Sequence, residues 1–489
     1  MTHTNINTPT SIDPSPQTAP KAMVPVLAFA GIIVAVLQTL LVPVIADLPR
    51  HLNTTPGNAA WLFTSTLLSG AVATPIMGRL GDLYGKRRLL ITSLGVMVAG
   101  ALISAFTSDL LVMIAGRTLQ GFAMGAVPLG IGLMRDLLPR ERLASGMALM
   151  SSSMGVGGGL AIPAAALVAQ YADWHTLFFG AAGLGLLAIV LTLVVVPESG
   201  MRAEGRFDLP GALGLAVGLV LLLLPITKGS SWGWSSGVTL GLFTAAVLVL
   251  ILWGAMELRI RTPLVDLRTT SRREVLITNL VAAMVGFAFY VITLVMPQLL
   301  QLPTTNGYGL GLSIVGAGLY QAPLGLTIMC MSFVYARLAA KRGPATTLAI
   351  GLVLIAIGYA AGLGLMNAAW QTIVTSIVVG AGVGLAYAAL PALILGAVDP
   401  SETGAANGLN TLMRYIGMTV SSAVIGTVLA TTSRTAGGVE VPTLNGFRIS
   451  FMVATAAVAL ALVLALFLRR PRLRIARIQA LDNDPIVAG

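Results

Sequence analysis

The most highly charged short stretch of the chain, residues 78–88, joins two long apolar segments. It contains one acid, Asp82, together with four basic residues and three glycines. Because a charge is costly in lipid, such a stretch must lie in water or against the polar ends of helices. Gly85 permits a tight turn, and Asp82 suits the amino end of a helix, where a carboxylate is favoured by about 0.3–1 kcal/mol. The alternative is a solvated loop that only fixes the orientation of the chain.

Two arginines, Arg117 and Arg414, lie inside apolar segments rather than between them. A charge within the membrane usually has a function, so we expect each arginine to face a water-filled path, to contact a substrate or to tune a carboxylate. The alternative is that each one ties helices together by donating to backbone carbonyls. The acids lie in tails, loops or segment ends, and the deepest of them is Asp47, at the end of the first segment.

The sequence shows no constellation of residues that would carry out a reaction. No pair of titratable residues lies at mid-membrane, and no cluster of histidine, cysteine and acidic residues suits a metal or a hydrolytic site. The sequence therefore argues against an enzyme and predicts no metal and no cofactor. The links between apolar segments are also too short for the extramembrane domain that a receptor would carry.

Several polar and aromatic residues lie near the middle of apolar segments, where we expect a central cavity. Pockets for drug-sized ligands are largely apolar with a few polar groups, so such a cavity would suit bulky amphipathic solutes. The alternative for each residue singly is ordinary packing between helices. The predicted cavity residues are Gln38, Thr64, Ser69, Gln120, Phe287, Tyr290, Tyr320, Gln321 and Asn410.

The fifth apolar segment combines many small residues with a proline. Gly155 and Gly159 would let neighbouring helices approach closely, and Pro163 removes one backbone hydrogen bond and favours a kink. We expect a pliable seam that bends during the working cycle. Ordinary tight packing is the alternative.

These residues are positioned by membrane-spanning helices, because 56% of the chain is hydrophobic and only 10% is charged, against about a quarter charged in soluble domains. A helical span needs roughly 20 mostly apolar residues. Fourteen segments meet that test, approximately residues 24–47, 58–78, 89–107, 110–133, 144–168, 176–196, 209–227, 238–257, 275–297, 310–334, 345–365, 369–393, 405–429 and 447–468.

The distribution of lysine and arginine predicts the orientation of the chain. With an even number of spans both termini lie on one side, and that side carries 23 of the 29 basic residues against 4 on the other. Basic loops stay in the cytoplasm, so we expect both termini there. Residues 1–21 resemble a disordered cytoplasmic tail rather than a signal peptide, and the net charge of +11 reflects these loops and does not suggest binding of nucleic acid.

The chain also carries a weak internal repeat. Residues 336–343 echo residues 78–85, with a glycine seven places after the first small residue in both, but Ala340 stands in the place of Asp82. Transporters built from two related halves show such echoes. We therefore expect an N-terminal six-helix bundle over residues 22–200, an inserted helix pair over 201–265, a C-terminal six-helix bundle over 266–470 and a cytoplasmic tail over 471–489.

The chain resembles the major facilitator superfamily, and within it the 14-helix drug:proton antiporter family. Residues 78–88 match the signature that follows helix 2, residues 117–121 match the arginine motif of helix 4, residues 207–212 and 232–234 resemble the inserted helix pair, and residues 410–414 resemble the helix-13 motif. The resemblance implies an all-α polytopic membrane protein with the major facilitator fold. That fold has two six-helix bundles plus an inserted pair, fourteen transmembrane helices in all.

The resemblance also implies roles for the residues of the charged stretch. It places Asp82 against the amino end of helix 13, near Ala405, with Arg135 as a further partner. The carboxylate would then latch the two halves together on the cytoplasmic side in the outward-open state. The residues of this cytoplasmic gating motif are Gly78, Asp82, Gly85, Lys86, Arg87 and Arg135.

Two positions depart from the family pattern. Gln38 stands where the branch usually has an acid in helix 1, and Ile162 with residues 164–167 replaces the glycines around Pro163. Proton coupling would then depend on Asp47, tuned by Arg117, or on Asp82.

The predicted function is export of amphipathic, drug-like or toxic compounds across the cytoplasmic membrane of a bacterium. The two bundles would alternate access to a central site, with the proton gradient as the driving force. The expected partners are small amphipathic substrates and membrane lipids, and the chain is expected to be a monomer. The alternative is a lipid or endogenous-metabolite exporter with weak or no proton coupling.

Overall fold

The computed structural model describes residues 20, 22–41, 44, 48–54, 56–59, 61–260, 263–399, 402–436 and 439–468. Asp47 and nearly all of the predicted tails, 1–21 and 471–489, lie outside these residues. The described part of the chain is almost entirely helical, as its long apolar segments predict.

The helices follow one another with short connections. In chain order they are α1 (Met23–Thr39), α2 (Leu48–His51), α3 (Pro56–Ala59), α4 (Trp61–Tyr84), α5 (Lys86–Ala105), α6 (Leu110–Gly121), α7 (Ala126–Leu137), α8 (Arg140–Tyr171), α9 (Thr176–Val195), α10 (Leu209–Trp232), α11 (Gly237–Glu257), α12 (Leu267–Thr270), α13 (Arg273–Gln301), α14 (Ile314–Arg342), α15 (Pro344–Gly362), α16 (Ala369–Ala397), α17 (Thr403–Thr431) and α18 (Leu444–Leu466). A 3₁₀ turn, Phe122–Gly125, continues α6 into α7, and another, Thr304–Asn306, lies between α13 and α14.

Eleven helical stretches of the described chain are long and apolar enough to cross a membrane, so this is a multi-pass membrane protein. Each of the fourteen predicted segments overlaps a helix, and segment 110–133 overlaps α6 and α7 together. The helix α1 has only 17 residues, and α4 and α8 are not among the eleven. The number of fourteen spans therefore stays a prediction.

The charged stretch 78–88 is not a loop. The helix α4 continues to Tyr84 and α5 begins at Lys86, so only Gly85 lies outside a helix. Gly85 has φ 113°, and Gly343, which stands between α14 and α15 in the second copy of the repeat, has φ 80°. Only glycine adopts such angles without strain, which explains why both copies place a glycine where one helix turns into the next.

The expectation of a purely helical chain is wrong at one place. The strands β1 (Ser433–Ala436) and β2 (Val439–Pro442) form an antiparallel hairpin in which Ser433 pairs with Pro442. A Gly-Gly pair between short strands is a hairpin signal, and the sequence has it at residues 437–438. The Tyr308 hydroxyl donates to the Pro442 carbonyl at 2.5 Å, so the hairpin lies against the connection from α13 to α14.

The N-terminal helices (α1–α9) and the C-terminal helices (α13–α18) each pack mainly among themselves. Within the first set α1 lies on α8 and α5 on α9, and within the second α13 lies on α17 and α15 on α16. The two sets meet where α4 packs on α17 and where α8 packs on α14, and α10 touches both α4 and α17. The predicted domain boundaries at 200 and 265 stay a prediction.

The two ends of the bundle differ in composition. The basic end is the end at which α4 meets α5, near Gly85, and it carries the connections rich in lysine and arginine. The hairpin end is the opposite one, which carries β1 and β2.

Candidate functional site

The carboxylate of Asp82 joins the two sets of helices at the basic end. It lies in the last turn of α4, is 0% exposed, and accepts two backbone hydrogen bonds from the start of α17. The Gly404 amide donates to Oδ1 at 3.1 Å and the Ala405 amide donates to Oδ2 at 2.9 Å. The first amides of a helix have no acceptor within it, and they carry a partial positive charge. The expected contact of Asp82 with the helix end near Ala405 is therefore present.

Glycines on both helices make this contact short. A Cβ atom on Gly78 would collide with the Gly404 carbonyl oxygen, and a Cβ atom on Gly404 would lie 2.6 Å from Asp82 Oδ1. One turn further along α17, a Cβ atom on Gly408 would lie 3.0 Å from the Thr74 carbonyl oxygen. At the basic end, α4 and α17 therefore approach so closely that their backbones are in contact. This interface is the closed seam.

Gly78→Ala is expected to lower the thermal stability of this closed seam. The added methyl group has to push α17 away from α4, and overpacking of this kind costs about 1–3 kcal/mol. The measurement is the thermal unfolding midpoint of the purified protein in detergent. Gly95→Ala is the matched control, because nothing lies within 4 Å of a Cβ atom at Gly95 on α5. Equal midpoints for the two variants would contradict the tight packing at Gly78.

The cation that pairs with Asp82 is Lys86, the first residue of α5. Its ammonium lies 3.3 Å from Asp82 Oδ1 and 2.9 Å from Asp136 Oδ2, and the side chain is 1% exposed. The Ser199 hydroxyl donates to the same Asp136 oxygen at 2.5 Å. A buried lysine thus lies between two buried carboxylates, and because each buried charge has an opposite partner, the cost of burial is reduced.

Asp136 and Ser199 were not singled out by the sequence. Asp136 follows Arg135 near the end of α7, at the same end of the bundle as Asp82, and this shared end is the signal that could have found it. The stem of Lys86 reaches Asp136 because α7 has Gly132 there, where a Cβ atom would lie 2.8 Å from Lys86 Cε.

The expected direct contact between Arg135 and Asp82 is not what the structure shows. Arg135 Nη1 instead donates to the hydroxyl of Thr403, the first residue of α17. Lys86 takes the place beside Asp82 because the turn at Gly85 folds the start of α5 back onto the end of α4. Arg135 therefore holds the same helix end as Asp82, but from α7.

Arg87 contributes within the N-terminal helices rather than across the seam. Its backbone amide donates to Glu198 Oε1 at 3.1 Å, and its Nη2 donates to the Leu193 carbonyl at 2.6 Å. A Cβ atom at Gly85 would lie 3.1 Å from the same Glu198 oxygen. These contacts anchor the turn between α4 and α5 to the end of α9.

The two intramembrane arginines differ in how their donors are used. Arg117 is 0% exposed; its Nε donates to the Leu62 carbonyl at 3.0 Å, and its Nη1 donates to the Leu37 carbonyl at 3.1 Å and to Gln120 Oε1 at 2.9 Å. For Arg117 the geometry therefore favours the alternative in which the arginine ties α1, α4 and α6 together. Asp47, its expected partner, lies outside the described residues.

Gln120 is a packing residue, and its expected place in the cavity is wrong. Its Nε2 donates to the Gly100 carbonyl and to the Ser104 hydroxyl, both at 3.1 Å, while its oxygen accepts from Arg117. Ser69 also packs, because its hydroxyl donates to the Thr66 carbonyl at 3.2 Å and faces the bare backbone of Gly121. Both side chains belong to the junction of α4, α5 and α6.

Arg117→Lys is expected to destabilise the fold. A guanidinium spreads its donors over three acceptors on two other helices and its own, which a compact ammonium cannot match, so about 1–3 kcal/mol should be lost through carbonyls left unpaired. The unfolding midpoint and the yield of folded protein measure this. Arg434→Lys, at an exposed arginine on β1, is the control, and an unchanged midpoint for Arg117→Lys would speak against its tying role.

Arg414 is buried to the same degree but is poorly satisfied. It is 2% exposed, its Nη2 donates to the Thr411 hydroxyl at 3.1 Å, and its guanidinium lies 4.9 Å from the centre of the Tyr387 ring. Its Nε and Nη1, and the Tyr387 hydroxyl, have no hydrogen-bond partner among the described residues. Tyr415, the next residue after Arg414 on the same helix, accepts from Gln38 Nε2 at 3.4 Å through its hydroxyl.

The Gln38 contact carries this polar cluster across the two sets of helices, because Gln38 lies on α1 and Tyr415 on α17. The other residues predicted to line the cavity lie on several different helices. Asn410 donates to Asn279 Oδ1 at 3.0 Å, which joins α17 to α13. Gln321 on α14 is 3% exposed, and its Nε2 is without a partner in the described chain. The remaining expected cavity residues are the buried Thr64 and the part-buried Phe287, Tyr290 and Tyr320.

Pro163 lies where α8 meets the C-terminal helices. The helix runs unbroken from Arg140 to Tyr171, and a Cβ atom on Gly318 of α14 would lie 3.2 Å from the Pro163 nitrogen. Gly155 and Gly159 lie on the same helix, and their role with Pro163 as a hinge stays a prediction.

The helices α10 and α11 carry a buried pair of acids that was not predicted from the sequence. Asp208 caps α10 by accepting the Gly211 amide at 2.9 Å, and Glu257 is the last residue of α11. A Cβ atom on Gly211 would collide with an oxygen of each, so the two carboxyls are within a few ångströms of each other. Asp208 is 8% and Glu257 2% exposed. At the other end of α10, the Lys228 ammonium lies 4.7 Å from the centre of the Trp61 ring on α4.

The family model of the Major Facilitator Superfamily matches residues 27–422 and, in a second match, residues 278–483. The chain is 28% identical over 388 residues to a probable actinorhodin transporter of Streptomyces coelicolor, a match that covers 75% of this chain and 65% of that protein. It is 24% identical over 377 residues to multidrug resistance protein 3 of Bacillus subtilis (76% and 72% covered). It is 26% identical over 406 residues to multidrug resistance protein Stp of Mycobacterium tuberculosis (82% and 74% covered).

The fold is similar to that of the human organic anion transporter MFSD10, with a TM-score of 0.62 at 15% identity over 91% of this chain and 99% of that one. Three findings agree. They are the family match over most of the chain, the similar fold and the contact of Asp82 with the start of α17. The chain belongs to the major facilitator superfamily and is a membrane transporter.

Proposed function

We propose that this transporter exports amphipathic, drug-like or toxic compounds by alternating access, with the basic end in the cytoplasm. The observation that carries the proposal is the bridge from Asp82 on α4 to the amino end of α17, because it joins the two sets of helices at one end only. The second copy of the repeat has Ala340 at the matching place, so no equivalent carboxylate holds the symmetry-related seam.

The closed seam at Gly78 and Gly404 corresponds to a state of the transport cycle in which the basic end is closed. Opening the basic end requires α17 to move away from α4, which breaks both hydrogen bonds to Asp82. Lys86 keeps its closer partner Asp136 at 2.9 Å during this movement, since both belong to the N-terminal helices. The N-terminal and C-terminal helices would act as the two six-helix bundles, with α10 and α11 as the inserted pair and fourteen spans in all.

The positive-inside rule supports a cytoplasmic position for the basic end, and the bacterial origin of the relatives supports action at the cytoplasmic membrane. Two of these relatives are named as multidrug resistance proteins, which supports the choice of drug-like compounds as substrates. Small amphipathic molecules and membrane lipids are the partners in this proposal, with the protein acting as a monomer.

Proton exchange is the proposed driving force, and the acids around the start of α17 support it. Glu402 lies two residues before Gly404, and burial, followed by the charge of Asp266, raises the pKa of its carboxyl. A carboxyl whose pKa is raised takes up a proton more readily. Because Glu402 is at the helix end that Asp82 holds, it would gain or lose its proton as the basic end opens and closes.

Transport into everted membrane vesicles tests this proposal. An amphipathic fluorescent dye is expected to accumulate in vesicles that contain the transporter and to stop accumulating when an ionophore dissipates the proton gradient. Vesicles that lack the transporter are the control. Accumulation that ignores the gradient would contradict proton antiport but leave export standing, whereas no accumulation of any amphipathic dye would contradict export.

Export of a metabolite made by the cell itself, with weak or no proton coupling, is the second candidate. The similarity to a probable actinorhodin transporter favours it, because that protein is named for one defined product. Deleting the gene separates the two candidates. Greater toxicity of many added compounds would indicate drug export, whereas retention of one endogenous compound in the cells, with unchanged drug tolerance, would indicate metabolite export.

A further inference from the structure

Arg414 is a buried cation whose guanidinium is only partly hydrogen-bonded. The guanidinium of Arg117, in the other set of helices, donates to three acceptors. Arg414 has one hydrogen bond, and two of its nitrogens have no partner among the described residues. A buried charge is expensive unless it is paired and hydrogen-bonded. The ring of Tyr387 at 4.9 Å offsets part of this cost, since a guanidinium is attracted to an aromatic face.

Within the part of the chain that the structure describes, no acid pairs with Arg414. Its own helix contributes Thr411 and the adjacent Tyr415, α16 contributes Tyr387, and Gln38 on α1 contacts Tyr415. On α13, Gly286 packs against the backbone of Arg414, where a Cβ atom would collide with the Arg414 carbonyl oxygen. Every acid of the described chain lies in a connection or near a helix end. None of these described acids pairs with Arg414, so a bound anion would supply the missing counter-charge.

We propose that Arg414, with the hydroxyls of Tyr387 and Tyr415, binds the anionic group of the substrate, so that the exported compounds are acidic amphipaths. This inference rests on the proposed export function and narrows its substrate class to carboxylates, phenolates or enolates attached to a large apolar body. The guanidinium and hydroxyls donate to the anion, since charge-assisted hydrogen bonds are the strong ones, and the aromatic rings contact the apolar part.

The polar residues around Arg414 belong to both sets of helices. Tyr415 lies on α17 and Gln38 on α1, and α17 is also the helix whose amino end Asp82 holds. A Tyr415 hydroxyl that donates to the anion still accepts from Gln38 Nε2, so the anion, Tyr415 and Gln38 would form one chain of hydrogen bonds. Binding of substrate and the packing of α1 against α17 are thereby linked.

Three probes with one apolar body test the inference: pyrenebutyric acid, its amide and pyrenebutyl-trimethylammonium. Binding to the purified transporter in nanodiscs of phosphatidylcholine is measured by fluorescence anisotropy. The wild-type protein is expected to bind the acid at least about tenfold more tightly than the amide, as hydrogen bonds to a charged group allow, and the ammonium probe least tightly. Arg414→Gln should remove the preference, so that the acid binds no more tightly than the amide.

Two further variants keep the test independent of folding. Tyr387→Phe retains the ring and loses only the hydroxyl, so it should weaken binding of the acid several-fold without changing binding of the amide. Arg434→Gln is the matched control, because Arg434 also lies over a tyrosine ring, Tyr308, at 5.5 Å, but is exposed at the hairpin end. It should keep the wild-type preference for the acid.

The possible outcomes separate this inference from the proposed function. Equal binding of acid and amide by the wild type, or an unchanged preference in Arg414→Gln, would overturn the inference while export of amphipathic compounds could still stand. Binding of the acid without its transport into everted vesicles would keep the inference and contradict export. Loss of the preference only in nanodiscs that contain phosphatidylglycerol would assign the site to a lipid phosphate instead.

Discussion

Asp82→Asn is expected to lower transport by about tenfold or more while the amount of protein in the membrane stays the same. The asparagine side chain has one acceptor oxygen and one amide group, so only one of the Gly404 and Ala405 amides keeps its acceptor, and the other faces a donor. The charge that is favourable at a helix amino terminus is lost as well. Hydrogen bonds to charged groups contribute about 1.5–3 kcal/mol each, and each 1.4 kcal/mol corresponds to about tenfold in an equilibrium constant.

Two measurements check this result. Dye transport in everted vesicles gives the rate, and the distance between spin labels at positions 84 and 341, introduced in a Cys330→Ala background, reports the opening of the basic end. Longer distances are expected for Asp82→Asn, since the closed state loses its bridge. Asp109→Asn is the matched control, because Asp109 also accepts a helix amide, from Val112 at 2.9 Å, but within a single connection at the hairpin end. Wild-type transport and distances in Asp82→Asn would refute the bridging role of Asp82.

Lys86→Met is expected to destabilise the folded protein by about 3–5 kcal/mol, the usual cost of breaking a buried ion pair on one side. Methionine has a volume similar to that of lysine and fills the space beside Gly132. It leaves the carboxylates of Asp82 and Asp136 without their cation. Both acids belong to the N-terminal helices, so the loss should appear as lower yield and a lower unfolding midpoint rather than as a pure change in transport.

The double variant Lys86→Met/Asp136→Asn sharpens this expectation. Removing one of the two stranded charges should recover part of the lost stability, because the remaining Asp82 still has its two amides on α17. Lys341→Met is the control, since Lys341 is an exposed lysine at the same end of the bundle. A midpoint for Lys86→Met equal to that of the control would show that the buried ion pairs contribute nothing to stability.

The local conformation of the repeat could be predicted from the sequence. Glycine at positions 85 and 343 follows a helical stretch in each copy, and the structure gives both a positive φ, because backbone freedom is a property of the residue itself. The contact of Asp82 with the start of α17 could be anticipated only through resemblance. More than 300 residues of chain separate the two groups, and no periodicity relates them.

The charged stretch 78–88 shows where composition misleads. Its charges suggested a loop, but α4 carries them on to Tyr84. Charged side chains do not stop a helix when other elements pair with them, and here Asp82 and Lys86 find partners on α17 and α7. Only the tertiary structure decides whether a polar residue at a helix end meets water or protein.

By itself the sequence determined the long helices, the family and the basic end, because hydrophobic length, glycine geometry and charge asymmetry act over short distances along the chain. It could not determine how residues of one type divide between packing and function. Arg117 and Arg414 are both arginines in apolar helices, and Gln38 and Gln120 are both glutamines near mid-span. In the structure, Arg117 and Gln120 find their hydrogen-bond partners within the N-terminal helices. Two nitrogens of Arg414 have no such partner in the described chain, and the neighbouring Tyr415 accepts from Gln38. That difference depends on which helices become neighbours, and only the tertiary packing decides it.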